Sequence, residues 1–302
     1  MSTSMRGIIY AIITAILWGT LAIVLKVSLS DLTPADITWF RFVMAFAVLA
    51  VYYYYRKPAY LRILKRPPGL LIIATLCLAL NYFGFIQGLQ FTSPSVAQIF
   101  IQLGPVILAI SGFAFFHEKI SARQIVGLFI VIAGLAIYYR ELTHLLSSGG
   151  ANWSRGVVWI LIAAVSWAAY SILLKVLVLK YPPMQLNLVI FGLPVLVYLP
   201  FVHFGHFLSL GITGWCILAF LGLNTLIAYG LLSLAIQYTE ANKVSVIIIL
   251  NPILTFVLMA IISHTGATWI SHEYYTPVTI AGAVIVLAGA MLTIFRRNIH
   301  SR

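Results

Sequence analysis

Charge is scarce in this sequence: 8% of its 302 residues are charged and 62% are hydrophobic. So few charges cannot cover the surface of a water-soluble globule, which leaves an integral membrane protein. Acidic residues are scarcest. Asp31, Asp36, Glu118, Glu141, Glu240 and Glu273 are the whole set, and each falls in a loop or at a helix boundary. No carboxylate lies mid-run, so the usual device for exchanging a proton against a cationic drug is missing. A neutral, zwitterionic or anionic solute is favoured instead. Cys77 and Cys216 are the only cysteines, both inside apolar segments, and no disulfide framework is implied. Enzyme motifs are missing too: there is no paired-aspartate motif, nucleophile elbow or phosphate loop. His117-Glu118 and His272-Glu273 begin like the zinc motif H-E-x-x-H, but Ser121 and Thr276 stand where the second histidine belongs. No metal and no cofactor are expected. The first apolar run is too long for a signal peptide's core and lacks a cleavage site, so the first helix is expected to be retained.

What the chain does have is apolar runs of roughly 20 residues, the length a helix needs to cross a hydrocarbon layer of about 30 Å. Barrel strands would show short alternating segments instead. Spans are predicted at residues 7–27, 36–55, 69–90, 94–115, 122–139, 155–178, 184–202, 210–232, 241–262 and 277–295, an all-α membrane protein of ten transmembrane helices. The chain also repeats itself. Gly7, Trp18 and Lys26 recur as Gly156, Trp167 and Lys175, 149 residues on; Gln90-Phe91-Thr92 and Pro105 recur as Gln237-Tyr238-Thr239 and Pro252, 147 on. His117-Glu118, Gly127 and Ala133-Gly134 return 155 residues later, which places an eight-residue insertion around 263–270. Residues 1–150 and 151–302 therefore read as two copies of five helices each. An odd number per copy makes the second enter the membrane from the opposite face, the inverted repeat of many secondary transporters, with a site near the midplane.

The net charge of +12 does not point to nucleic acid, because the basic residues cluster at span ends. With the N-terminus inside, thirteen Lys and Arg lie on the cytoplasmic side and only Arg140 and Arg155 on the other. Both termini are expected in the cytoplasm, in an inner-membrane protein. A lipid bilayer and a small-molecule substrate are the expected partners, and a pathway complete in one chain suggests a monomer.

Three groups of residues resemble the EamA-like branch of the drug/metabolite transporter superfamily. They are Trp18-Gly19 in the first span, Pro34 with Trp39-Phe40-Arg41-Phe42 at the second, and the run from Gly104-Pro105 through His117-Glu118-Lys119-Ile120 to Gly127 and Ala133-Gly134. The resemblance implies a cavity lined by the first, third, fourth, sixth, eighth and ninth helices, with the fifth and tenth packed away from it. It also implies carriage of metabolites, most readily export of amino acids or related zwitterions by alternating access. A proton-driven drug exporter is the alternative within transport, and an intramembrane enzyme the alternative outside it.

Candidate binding residues come from polar groups in apolar runs. Ser95, Gln98, Gln102 and Pro105 share one helix face in the fourth span. An unpaired amide in lipid costs several kcal/mol, so that face must meet water or other helices. Its counterparts in the second half are Asn242, Ser245, Ile249 and Pro252. The third span adds Asn81, Tyr82 and Phe85, with Gly84 and Gly88 suited to close helix contact. Tyr82 has its counterpart in Tyr229, and Asn224 is a second mid-membrane amide. Trp18 and Trp167, with Tyr170 and Ser171 beside the latter, read either as an aromatic enclosure or as core packing. Lys26, Arg41 and Lys175 lie near span ends, where snorkelling to the interface explains them, though Lys26 and Lys175 could also hold an anion or gate the two mouths. His117 and His264 read as interface histidines. Gly127, Gly134, Gly282 and Gly289 read as helix-packing positions in the fifth and tenth spans.

Overall fold

In hydrocarbon every backbone N–H and C=O must find its partner within the protein, and helices do this locally. The chain accordingly forms helices throughout its described part. The structure is a computed structural model that describes residues 3–116, 121–145, 150–238, 244, 247–248, 250–273 and 275–294. The helices are α1 (Thr3–Ser28), α2 (Pro34–Arg56), α3 (Gly69–Phe91), α4 (Pro94–Phe100), α5 (Leu103–Phe116) and α6 (Ala122–Leu145). They continue with α7 (Gly150–Leu177), α8 (Pro183–Tyr198), α9 (Phe204–Leu208), α10 (Ile212–Tyr238), α11 (Asn251–His264) and α12 (Pro277–Ile294). Seven helices are long and apolar enough to cross a membrane, and shorter apolar helices cover 94–108, 251–264 and 277–293. His117, Glu118, Lys119, Ile120, Glu240, Asn242, Lys243, Ser245 and Ile249 lie outside the described residues.

The two halves pack against each other. The four most extensive helix pairings are α6 with α12, α3 with α7, α1 with α10 and α2 with α8, and α4 packs on α11. Each joins a helix from before residue 150 to one from after it. The glycines explain two of these approaches. A Cβ on Gly127 would stand 2.8 Å from the Gly289 carbonyl, and one on Gly289 2.8 Å from the Gly127 carbonyl. A Cβ on Gly134 would stand 2.8 Å from Val286 N and one on Gly282 3.1 Å from Tyr138 N, so α6 and α12 run antiparallel with touching backbones, as expected of packing glycines. On α3, Gly84 and Gly88 lie against the Trp159 and Gly156 carbonyls of α7.

The expected single helix over 94–115 is corrected: two helices meet at a turn at Ile101-Gln102. Pro105 is the physical reason. It has no N–H to give the Ile101 carbonyl, and its ring crowds that carbonyl. The backbone tightens ahead of it, with Gln102 N donating to the Ile99 carbonyl at 3.3 Å and Gly104 N to that of Ile101 at 3.0 Å. The ninth span does the same before Pro252. Val244 and Ile247-Ile248 are helical, Leu250 N reaches the Ile247 carbonyl at 3.1 Å, and α11 starts afresh at Asn251.

Candidate functional site

The ends of α1 and α3 meet at one face of the bundle. The last carbonyls of a helix have no intrahelical donor and carry its negative dipole end, so they attract a cation. Lys26 supplies it, donating from Nζ to the carbonyls of Leu89 (2.8 Å), Gln90 (3.1 Å) and Thr92 (2.6 Å). All three ammonium hydrogens have acceptors. Next to it the segment between α11 and α12 folds back over α4. Glu273 accepts from Ser95 N at 3.0 Å and from the Tyr275 hydroxyl at 2.6 Å, while the Ser95 and Tyr275 hydroxyls lie 3.1 Å apart. Burial and the Glu273 carboxylate push the Tyr275 phenol well above its ordinary range, keeping it a neutral donor. A cavity of about 590 Å³ opens over this seal, lined among others by Lys26, Gln90, Trp269 and His272.

Deeper, the polar residues of the fourth span meet two other helices. Gln98 Nε2 donates to the Trp18 carbonyl at 3.0 Å, and Gln102 Nε2 to Asn251 Oδ1 at 3.4 Å. Thr255 Oγ1 donates to the Gly19 carbonyl at 2.6 Å, and a Cβ on Gly19 would stand 3.0 Å from the Asn251 carbonyl. The glycine after Trp18 is what lets α1 reach the break before α11. Gly104 serves the other break, with the Trp167 ring 3.2 Å from where its Cβ would be.

An aromatic cluster lies beside these breaks. The Trp18 and Tyr229 rings meet edge-on at 5.6 Å, Tyr229 and Tyr82 are 6.4 Å apart, and Tyr82 and Phe42 4.8 Å. Trp167 and the buried Tyr170 belong to the same packed group. Trp18 shares a helix face with Ala11, Ala22 and Leu25, which are fully buried, so it lies on the inward side of α1. Asn224 Nδ2 donates to the Leu17 carbonyl at 2.9 Å; its Oδ1 is buried and accepts no hydrogen bond among the described residues.

Of the predicted residues, then, Trp18, Tyr82, Trp167, Tyr170, Asn224 and Tyr229 come together with Gln98 and Gln102. Others lie apart. Ser95 belongs to the seal at the Lys26 end. Asn81 donates to the Ala163 carbonyl at 2.8 Å and so joins α3 to α7. Phe85 packs on the core around Ile86 and Leu89, and Ser171 bonds its own helix at the Trp167 carbonyl. Lys175 is exposed near the end of α7.

Arg41 corrects the snorkelling expectation. It lies seven residues into α2, about 10 Å down the helix, yet its side chain is turned inward and the residue is 4% exposed. Nε donates to Thr225 Oγ1 at 3.0 Å, and the guanidinium carbon stands 4.6 Å over the Tyr82 ring. Sequence position gave its distance from the helix end but not its direction, which the buried neighbours Thr38, Phe42 and Ala45 on that helix face would have supplied.

One group of potential metal ligands occurs among the described residues, Asp36 with His203 and His206. The Asp36 carboxylate already accepts four hydrogen bonds, from Thr33 N and Oγ1, His203 N and His206 Nδ1. Those bonds cap α2 and tie α9 to it, and the carboxylate is satisfied without an ion.

With this geometry in view, comparison with known proteins is informative. A family model described as "EamA-like transporter family" matches residues 5–140 and again 154–295. A protein of Haemophilus influenzae named as an uncharacterized transporter is 30% identical over 288 residues, covering 95% of this chain and 94% of its own. The inner membrane transporter YhbE of Escherichia coli K12, likewise named as uncharacterized, is 30% identical over 291 residues, covering 94% and 90%. A solved crystal structure superposes with a TM-score of 0.65 over 98% of both chains at 18% identity, a likeness of fold alone.

Proposed function

The chain belongs to the EamA-like transporter family, and we propose that it is a multi-pass inner-membrane carrier of small organic metabolites working by alternating access. The favoured cargo is amino acids or related zwitterions, moved outward, with both termini in the cytoplasm and one chain sufficient for transport. Residues 1–150 and 151–302 act as inverted five-helix repeats. Support comes from the twofold family match and from the four most extensive helix pairings, each of which joins one half to the other.

The observation that carries this reading is the pair of broken helices. The breaks precede Pro105 and Pro252, 147 residues apart in sequence, and α4 packs on α11. Discontinuous helices at corresponding positions in two halves are how carriers build a midplane site. In this reading Gln98, Gln102 and Asn224 offer hydrogen bonds to the solute, while Trp18, Tyr82, Trp167 and Tyr229 enclose its less polar part. Lys26 and the Glu273 seal close the mouth above, and Lys175 marks the opposite one.

Counterflow tests it. Purified protein in liposomes loaded with pooled amino acids should accumulate labelled amino acids from outside without a proton gradient, and Gln102→Leu should block accumulation. If flux appears only when a pH gradient is imposed, proton coupling replaces this reading. If Gln102→Leu and Trp167→Ala both transport like the parent, the site assignment is wrong.

A further inference from the structure

Arg41 is a buried cation whose hydrogen-bonding capacity is mostly unused. A guanidinium presents five N–H donors, and among the described residues it makes one hydrogen bond, to the neutral Thr225 hydroxyl. No carboxylate of the described residues pairs with it; its charge stands over the Tyr82 ring face, with Tyr229 also near it. Thr225 stands midway along α10 and Tyr82 near the middle of α3, so the charge is held at mid-depth. Charged side chains there are costly to keep and are found paired or facing a pathway.

We propose that Arg41 anchors the carboxylate of the carried solute. The inference rests on the carrier reading above and narrows it from small metabolites to those bearing a carboxylate. The planar fork of the guanidinium matches a carboxylate bidentately, which a lysine cannot do. Thr225 holds the Nε edge, which fixes the direction in which the remaining donors point. Tyr82, Tyr229 and Trp18 form a continuous run of rings from the guanidinium, suited to an apolar or aromatic body. On α10, next to Thr225 in sequence, Asn224 is 2% exposed and its Oδ1 lacks a donor among the described residues. A solute with an N–H group beside its carboxylate, as an α-amino acid has, supplies one. An aromatic amino acid therefore brings a carboxylate for Arg41, a donor for Asn224 and a ring for the aromatic run.

Thermal unfolding of the full chain in lipid nanodiscs tests the proposal with four probes: L-phenylalanine, phenylacetate, phenethylamine and inorganic phosphate. L-Phenylalanine and phenylacetate should raise the Tm of the parent in a dose-dependent way, and the other two should not. Their apparent affinity should fall at least about tenfold in Arg41→Met, the loss of a charge-assisted hydrogen bond, and less in Arg41→Lys. Without solute, Arg41→Met should unfold at or above the parent Tm, since it removes an unpaired charge. The proposal is overturned if neither carboxylate stabilises the parent, if both stabilise Arg41→Met equally, or if phosphate acts as strongly. Should Arg41→Met not fold, Arg41→Lys with parental affinity for phenylacetate is enough to reject it. Counterflow of labelled L-phenylalanine separates the two claims. Arg41-dependent stabilisation without exchange keeps the anchor and rejects carriage, whereas exchange that Arg41→Met retains at the parental KM keeps carriage and rejects the anchor.

Discussion

Lys26 and Arg41 are both cations set among apolar helices, and their surroundings differ. Lys26 gives every hydrogen to backbone carbonyls at the end of α3, at 2.6 to 3.1 Å. Arg41 gives one to a hydroxyl and lays its charge against a ring. The first is saturated by the fold and needs nothing more. The second is left short, and a buried polar group left short is costly unless something arrives to complete it. Lys26 is half-buried and Arg41 fully so, and what tells whether the fold already meets the charge is the count of satisfied donors.

Substitutions can break this contrast or sharpen it. The largest effect is expected at Lys26. Lys26→Met leaves three carbonyls without their donor, at about 1–3 kcal/mol each for those of the buried Leu89 and Thr92 and little for that of the exposed Gln90, and the Tm in nanodiscs should drop by roughly 5–10 °C. A Tm unchanged by Lys26→Met would show that the cap is dispensable and remove the structural half of the contrast. Glu273→Gln comes next. It weakens the charge-assisted bond to Ser95 N and the one from Tyr275, by about 1–2 kcal/mol together. A cysteine introduced at Ser95 should then react faster with a water-soluble maleimide, and equal rates would mean that Glu273 does not hold the seal. Smallest is Thr225→Val, worth about 0.5–1.5 kcal/mol as one hydrogen bond. Its Tm should barely move while the affinity for phenylacetate falls. Loss of Tm without loss of affinity would make Thr225 a packing residue and detach it from the proposed anchor.

Much of this was readable in the sequence, for reasons that can be named. Gly127, Gly134, Gly282 and Gly289 recur seven apart in two apolar runs, and only close backbone packing uses that pattern, so the touching of α6 and α12 was legible. The recurrence of Trp18 and Tyr82 as Trp167 and Tyr229 marked the aromatic cluster, although spacing could not say whether the rings meet. Pro105 was visible, but the expectation of one helix over 94–115 overlooked the carbonyl four residues earlier, which the proline ring must displace. Helical spacing alone places Ser95 on the face of Gln98 and Gln102. Its attachment to Glu273 depends on a return of the chain 178 residues later, beyond the reach of any local period. In the sequence Arg41 is a charge near a span end. Whether such a side chain runs outward to the interface or inward to Thr225 is decided by the neighbouring helices.

The breaks before Pro105 and Pro252 also have a mechanical meaning. An intact helix resists bending because flexure strains hydrogen bonds along its whole length. At these two places one bond is absent from the outset, since proline has no hydrogen to give, and the turns ahead of it are already wound more tightly. Each rod is scored at one point, like glass before it is snapped. Any rocking of one half against the other will concentrate its strain at those two lines, and the stiffness of the remaining segments will carry the small angular change to both ends of the bundle.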